Sequence, residues 1–262
     1  MTDPMPLAMI LTALGSGAAI GLILAGLGAG GSILMTPLLV YAVGVPSAHA
    51  AVGTSAVAVT LNALVGRAGQ ARAGTVKWRC AGVFAGAGVV GAGLGAELGK
   101  AIDGKRLLML FGLLMIVVGI SMLRPRRTAE QADVRLTATS ARQLLPRLVP
   151  IGLGTGLLAG FFGVGGGFLI VPGLILATAM PMRFAAGTSL VIVAALGATT
   201  ATSYALSGYV DWPLVAVLAI GGAAGAALGI KSAAQLSNHR GLVEKGFAAL
   251  VIAVGVYVAV MR

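Results

Sequence analysis

The chain has 262 residues, of which 58% are hydrophobic and only 10% charged, with 41 glycines, one cysteine and a formal net charge of +11. A soluble domain carries about 25% charged residues, so this composition excludes a disordered chain, a disulfide-stapled secreted scaffold and an ordinary cytosolic enzyme, and leaves an all-α polytopic membrane protein. The basicity is not a nucleic-acid signal, because Lys and Arg fall in the short stretches between apolar runs, where the positive-inside rule puts them.

Residues 1–6 hold a single charge, Asp3, and no basic region, so the first apolar run is expected to be retained rather than cleaved as a signal peptide. Apolar runs are predicted over 7–27, 33–45, 48–66, 80–99 and 107–123. A polar, Arg-rich stretch, 124–147, follows, and then runs over 148–163, 168–180, 186–206, 213–234 and 243–261. The predicted organisation is a first membrane repeat over 1–123, a basic cytoplasmic linker over 124–147 and a second membrane repeat over 148–262. In each set of five the second run has about 13 residues, roughly 20 Å of helix. That is too short to cross a hydrocarbon core about 30 Å thick.

The two sets are a repeat. Gly28, Gly30, Gly31 and Pro37 return 135 residues later as Gly163, Gly165, Gly166 and Pro172. At an offset of 134, Gly53-Thr54-Ser55 returns as Gly187-Thr188-Ser189, and Gly74, Trp78, Gly91 and Gly95 return as Gly208, Trp212, Gly225 and Gly229. If every run crosses and the N-terminus lies outside, the basic residues collect inside, leaving only Lys100, Lys105, Arg106 and Arg262 outside. Re-entrant short runs divide the charges more evenly. The charge rule therefore favours ten segments in two inverted repeats. Loop 67–79 carries four positive charges while its partner 207–212 carries only Asp211, as opposed orientations predict.

The stretches Gly26-Leu27-Gly28-Ala29-Gly30-Gly31-Ser32 and Gly160-Phe161-Phe162-Gly163-Val164-Gly165-Gly166-Gly167 separate the first and second runs of each half. Each glycine within a helix costs about 1 kcal/mol relative to Ala, so such clusters break it. Broken backbone at membrane depth is tolerated only where protein or a wet cavity surrounds it. A short helix anchored at the surface brings its N-terminus near the midplane, where free N–H groups and the positive end of the dipole favour an anion. Backbone N–H groups of Gly30, Gly31, Ser32, Gly165, Gly166 and Gly167 are the predicted cradle. Thr54, Ser55, Thr188 and Ser189 supply hydroxyl donors, although such hydroxyls also bond back to their own helix. Asn62 is a weaker candidate in the first half only, and Thr36 stands where it can satisfy backbone freed by Pro37. Gly91/Gly95 and Gly225/Gly229 have the small-xxx-small spacing of helix packing.

Glu97 is the ionisable residue best placed inside a run, and it is carried as a candidate for proton coupling. His49 stands near a run end. No metal, nucleotide or other cofactor site is signalled by one cysteine, two separated histidines and Gly-rich breaks that lack a following Lys-Ser or Lys-Thr.

The paired stretches Gly-Ala-Gly-Gly-Ser-Ile-Leu-Met-Thr-Pro and Gly-Val-Gly-Gly-Gly-Phe-Leu-Ile-Val-Pro, each followed by Gly-Thr-Ser, resemble the TauE/SafE sulfite exporter family. The resemblance covers nearly the whole chain. It implies movement of small sulfur-containing anions, such as sulfite, sulfoacetate and other organosulfonates or thiosulfate, across the bacterial inner membrane. Ser32 stands where the second copy has Gly167, which makes the two half-sites unequal. The expectation is a secondary transporter, not an enzyme, whose partners are a small anion and the lipid bilayer, working by one half rocking against the other. A homo-oligomer is compatible with this reading. An anion channel with the same site is the alternative, and a sulfur relay would have to use Cys80.

Overall fold

The computed structural model describes residues 6–27, 29–72, 74–123, 138–236 and 240–260, without the side chains of 24–31, 67–72, 138–141, 143, 183 and 230–244. Gly28 and residues 124–137 of the expected linker lie outside that set. Among the described residues every regular element is helical. A chain this apolar must satisfy its backbone polar groups within each segment, and helices do so without a partner strand.

The first half comprises α1 (Leu7–Leu27), a compound short segment, α3 (Ala48–Arg72), α4 (Trp78–Ala101) and α5 (Gly104–Leu123). The second comprises α6 (Ala138–Phe162), α7 (Gly167–Thr178), α8 (Met182–Leu206), α9 (Trp212–Leu236) and α10 (Arg240–Val260). The compound segment is a 3-10 helix over Ala29–Leu34, one α-turn, α2 (Met35–Pro37), and a π-helix over Leu38–Ala42. It corrects the expected plain helix over 33–45. Pro37 has no N–H and crowds the carbonyl four residues back. The chain beyond it widens, and Val43 N–H donates to Leu38 O, five residues back, at 2.9 Å. Several helices outrun the apolar stretches that announced them. Hydropathy marks the lipid-facing part, while the hydrogen-bond ladder continues into polar ends such as 67–72 and 138–147.

Among the described residues six helices are long and apolar enough to cross a membrane, and large apolar side chains such as Leu94, Leu98, Leu113 and Ile220 face outward. Trp78 and Trp212 open α4 and α9 and are exposed, as interfacial tryptophans are.

Glycine stripes bring helices together backbone to backbone. A methyl group at Gly91 or Gly95 would strike the backbone of α6 at Leu153 or Leu157, and one at Gly156 or Gly160 would strike α4 at Gly88 or Ala92. The equivalent stripe joins α1 to α9: Gly17 meets Leu218, Gly21 meets Gly222, and Gly225 meets Ala18. The packing role expected of Gly91, Gly95 and Gly225 is what these contacts describe.

The order of the contacts gives directions. Numbers rise together in α1 against α9 and in α4 against α6, so both pairs are parallel. Gly66 meets Leu190 and Gly197 meets Thr60, so α3 and α8 are antiparallel. Gly112 lies against Gly255 and Gly119 against Ile252, so α5 and α10 are antiparallel too. Gly88 meets Leu196 and Gly99 meets Tyr204, which makes α4 parallel to α8. Helices α1, α3, α5 and α9 thus run one way, and α4, α6, α8 and α10 the other. Each of these pairs also joins the first half to the second, so the halves are interleaved rather than side by side.

Candidate functional site

The second break is built by three glycines in the left-handed region, Gly163, Gly165 and Gly166, at φ +64°, +64° and +72°. This region disfavours side chains. Gly166 is the N-cap of α7, and no side chain caps that end. The first N–H groups of a helix have no intrahelical acceptor, and here residues 163–168 are all buried. A Cβ at Gly165 would stand 3.0 Å from Val59 and 3.6 Å from Val193, residues near the middles of α3 and α8. The break therefore lies halfway along the bundle. Of the first break, Gly30, Gly31 and Ser32 fall in the 3-10 turn, and Ser32 is fully buried. This turn packs on α1, α7 and α8, so the two broken segments touch.

Gly-Thr-Ser sends its three residues to three different tasks. At Gly53 the missing Cβ makes room for the Tyr209 carbonyl, and at Gly187 for Thr75. Thr54 Oγ1 accepts the Asp211 N–H at 3.1 Å, and Thr188 Oγ1 accepts the Lys77 N–H at 3.0 Å. Each half thus clasps the loop that precedes α4 or α9 of the other half. Ser55 turns toward the break instead. Its Oγ donates to Val52 O at 2.8 Å and to Gly163 O at 3.1 Å. Thr36 Oγ1 lies 3.1 Å away, in a hydroxyl–hydroxyl bond that either partner can donate. Ser189 donates to Ala186 O at 2.8 Å. The structure therefore brings Ser55, Thr36 and the second break together, and gives Thr54 and Thr188 partners in the loops.

Glu97 is not among them. It faces outward, 2.7 Å from Lys100 Nζ, and accepts a hydrogen bond from Ser203 Oγ at 2.9 Å. His49 sits in the first turn of α3, its ring 5.4 Å from that of Tyr209. Among the described residues the buried polar side chains are Ser, Thr and one Asn, together with the Tyr204 phenol and the Cys80 thiol, and no buried Asp, Glu, Lys, Arg or His is among them. Among the described residues no cluster of His, Cys, Asp or Glu could hold a metal. Sequence reasoning missed the loop residues Thr75 and Tyr209. The repeated Gly74 and Gly208, both left-handed at φ +67° and +75°, stand immediately before them and at one residue's remove from identical roles.

Comparison with known proteins gives the chain its relatives. A 254-residue alignment with a "probable membrane transporter protein" of Xylella fastidiosa shows 45% identity and covers 97% of this chain and 96% of that one. The "probable membrane transporter protein YdhB" of Bacillus subtilis is 29% identical over 213 residues, 81% of this chain and 85% of its own. No solved structure matches. The family profile described as "Sulfite exporter TauE/SafE" matches residues 13–258, a stretch that holds both breaks and both Gly-Thr-Ser motifs, and the chain, a multi-pass membrane protein, belongs to that family.

Proposed function

We propose that the protein is a secondary transporter, an exporter in its physiological direction, for small sulfur-containing anions such as sulfite, sulfoacetate or thiosulfate in a bacterial inner membrane. One observation carries the reading: two broken segments meet inside the bundle, where the buried polar side chains of the described residues are all uncharged at neutral pH. Helix N-termini and hydroxyls attract an anion without an ionised side chain. That suits a solute which must also leave. The anion is held by N–H groups around Gly30, Gly31, Ser32, Gly165, Gly166 and Gly167, with Ser55 and Thr36 beside the second break and Ser189 as a further hydroxyl. Thr54 and Thr188 act through the loops they clasp.

The opposed helix directions support two inverted repeats, 1–123 and 148–262, joined by a cytoplasmic linker over 124–147. Lys77, Arg79, Arg142 and Arg147 then lie at the cytoplasmic ends of their helices. Alternating access follows, but with a different moving boundary from the one expected. The tight pairs α1–α9 and α4–α6 cross between halves, so these mixed pairs move as units around α3 and α8.

The test is uptake into proteoliposomes of sulfite, thiosulfate, sulfoacetate and sulfate under defined pH and sodium gradients. Saturable uptake with counterflow of at least one sulfur anion is expected. Large unitary currents without counterflow would replace the transporter by an anion channel, and no movement of any of the four would end the reading.

A further inference from the structure

Three buried polar atoms among the described residues have no hydrogen-bond partner, His49 Nδ1, Tyr204 Oη and Asn62 Nδ2, and of these Asn62 lies on the α3 face that carries Ser55 and Val59. Asn62 on α3 is only 4% exposed, and its Nδ2 has no hydrogen-bond partner. It stands seven residues beyond Ser55 and three beyond Val59, so the three share one face of the helix. On that face Ser55 meets Gly163 and Val59 meets Gly165. Asn62 is about 10 Å beyond Ser55 along the same line. Its amide lies over Gly222 of α9, which has no Cβ to displace it.

The repeat supplies a control. Asn62 and Gly222 correspond, at the offset of 134, to Leu196 and Gly88. Leu196 packs on Gly88 as Asn62 packs on Gly222. The same niche is therefore filled by an apolar side chain, and shape does not require an amide. A buried N–H without an acceptor costs stability, and no neighbouring group offsets it here.

We propose that Asn62 donates its Nδ2 hydrogen to the transported anion, so that the site is one-sided, with an amide from the first half where the second contributes only methyl groups. The unpaired group is a donor, so it calls for an acceptor atom, and an oxyanion's oxygen meets that need. This rests on the transporter reading. It also orients the solute, which meets the amide on one side and the α7 N–H groups on another.

The experiment uses the full chain in proteoliposomes and in detergent, with sulfite, thiosulfate and sulfoacetate as probes. Asn62→Leu copies the geometry of Leu196, and its melting temperature without anion should equal or exceed that of the unsubstituted chain. Its half-saturation concentration should rise about tenfold to a hundredfold, the range for a hydrogen bond to a charged group. Asn62→Asp keeps the shape but opposes the charge, and it should abolish stabilisation by the anion at neutral pH. Unchanged half-saturation in both variants, with the unsubstituted chain transporting normally, would overturn the role of Asn62 and leave the transporter reading standing. A fall in melting temperature with unchanged half-saturation would assign the amide to packing, against the proposal. An unsubstituted chain that moves none of the probes removes both.

Discussion

Residues 163–167 turn on three left-handed glycines and enter a regular α-helix, whereas residues 29–42 pass from a 3-10 helix through one α-turn into a π-helix. Side chains differ in the opposite sense. Ser32, Thr36, Thr60 and Asn62 in the first half correspond by the repeat to Gly167, Val171, Ala194 and Leu196 in the second. The second half brings backbone donors to the centre through a well-formed helix start, and the first brings hydroxyls and an amide. The two breaks correspond in sequence but differ in the polar groups around them.

The largest effect expected from disturbing this division is at Gly166. Its φ of +72° and the nearby Ala159 Cβ leave no room for a side chain. Gly166→Leu should abolish transport while the protein still reaches the membrane, checked by uptake and by membrane fractionation. Normal flux would remove the second half's backbone from the site.

Next come Thr54→Val and Thr188→Val. Each leaves a partly buried N–H, of Asp211 or Lys77, without its acceptor, at about 1–3 kcal/mol. The two clasps are alike, so the losses in thermal stability should match. A marked inequality would show that the halves differ in their loops as well as at the centre.

A smaller and unequal pair is Ser55→Ala and Ser189→Ala. Only Ser55 is seen to bond the opposite half's break, so its loss should cost about 1 kcal/mol more. It should also weaken anion binding further. Equal effects in a melting and uptake comparison would argue that the centre is symmetric after all.

Glu97→Gln is the mildest. The carboxylate faces outward in a pair with Lys100, and such exposed pairs contribute little. Stability should hardly move. Proton coupling through Glu97 requires that the pH dependence of uptake change in this variant, and an unaltered profile disposes of that role.

Much of the architecture could be read in advance because hydropathy and repetition are coarse signals that lipid imposes directly. The positions of the long helices, the two breaks and the packing glycines all follow from them. The compound character of 29–42 could not be read, since Pro37 and Pro172 occupy equivalent places and only the first is followed by a π-helix. Gly-Thr-Ser was recognisable as a paired motif. That its threonine would face a loop and its serine a break depends on a rotation of about 100° per residue about the helix axis and on which neighbour stands in each direction. Neighbours from the opposite half, more than a hundred residues away, carry no local signature. Asn62 drew attention by its chemistry alone, and its orphaned hydrogen became visible only with Gly222 in place.

The interleaving of α1 with α9, α4 with α6 and α5 with α10 bears on ancestry and on assembly. A protein of half this length would expose its glycine stripes to lipid and leave its loops unclasped. Under the proposed inverted-repeat arrangement, a twin inserted upside down would supply the missing partners. Ribosomal synthesis then imposes an order: the amino-terminal helices must wait in the bilayer, unmatched, until their carboxy-terminal mates emerge.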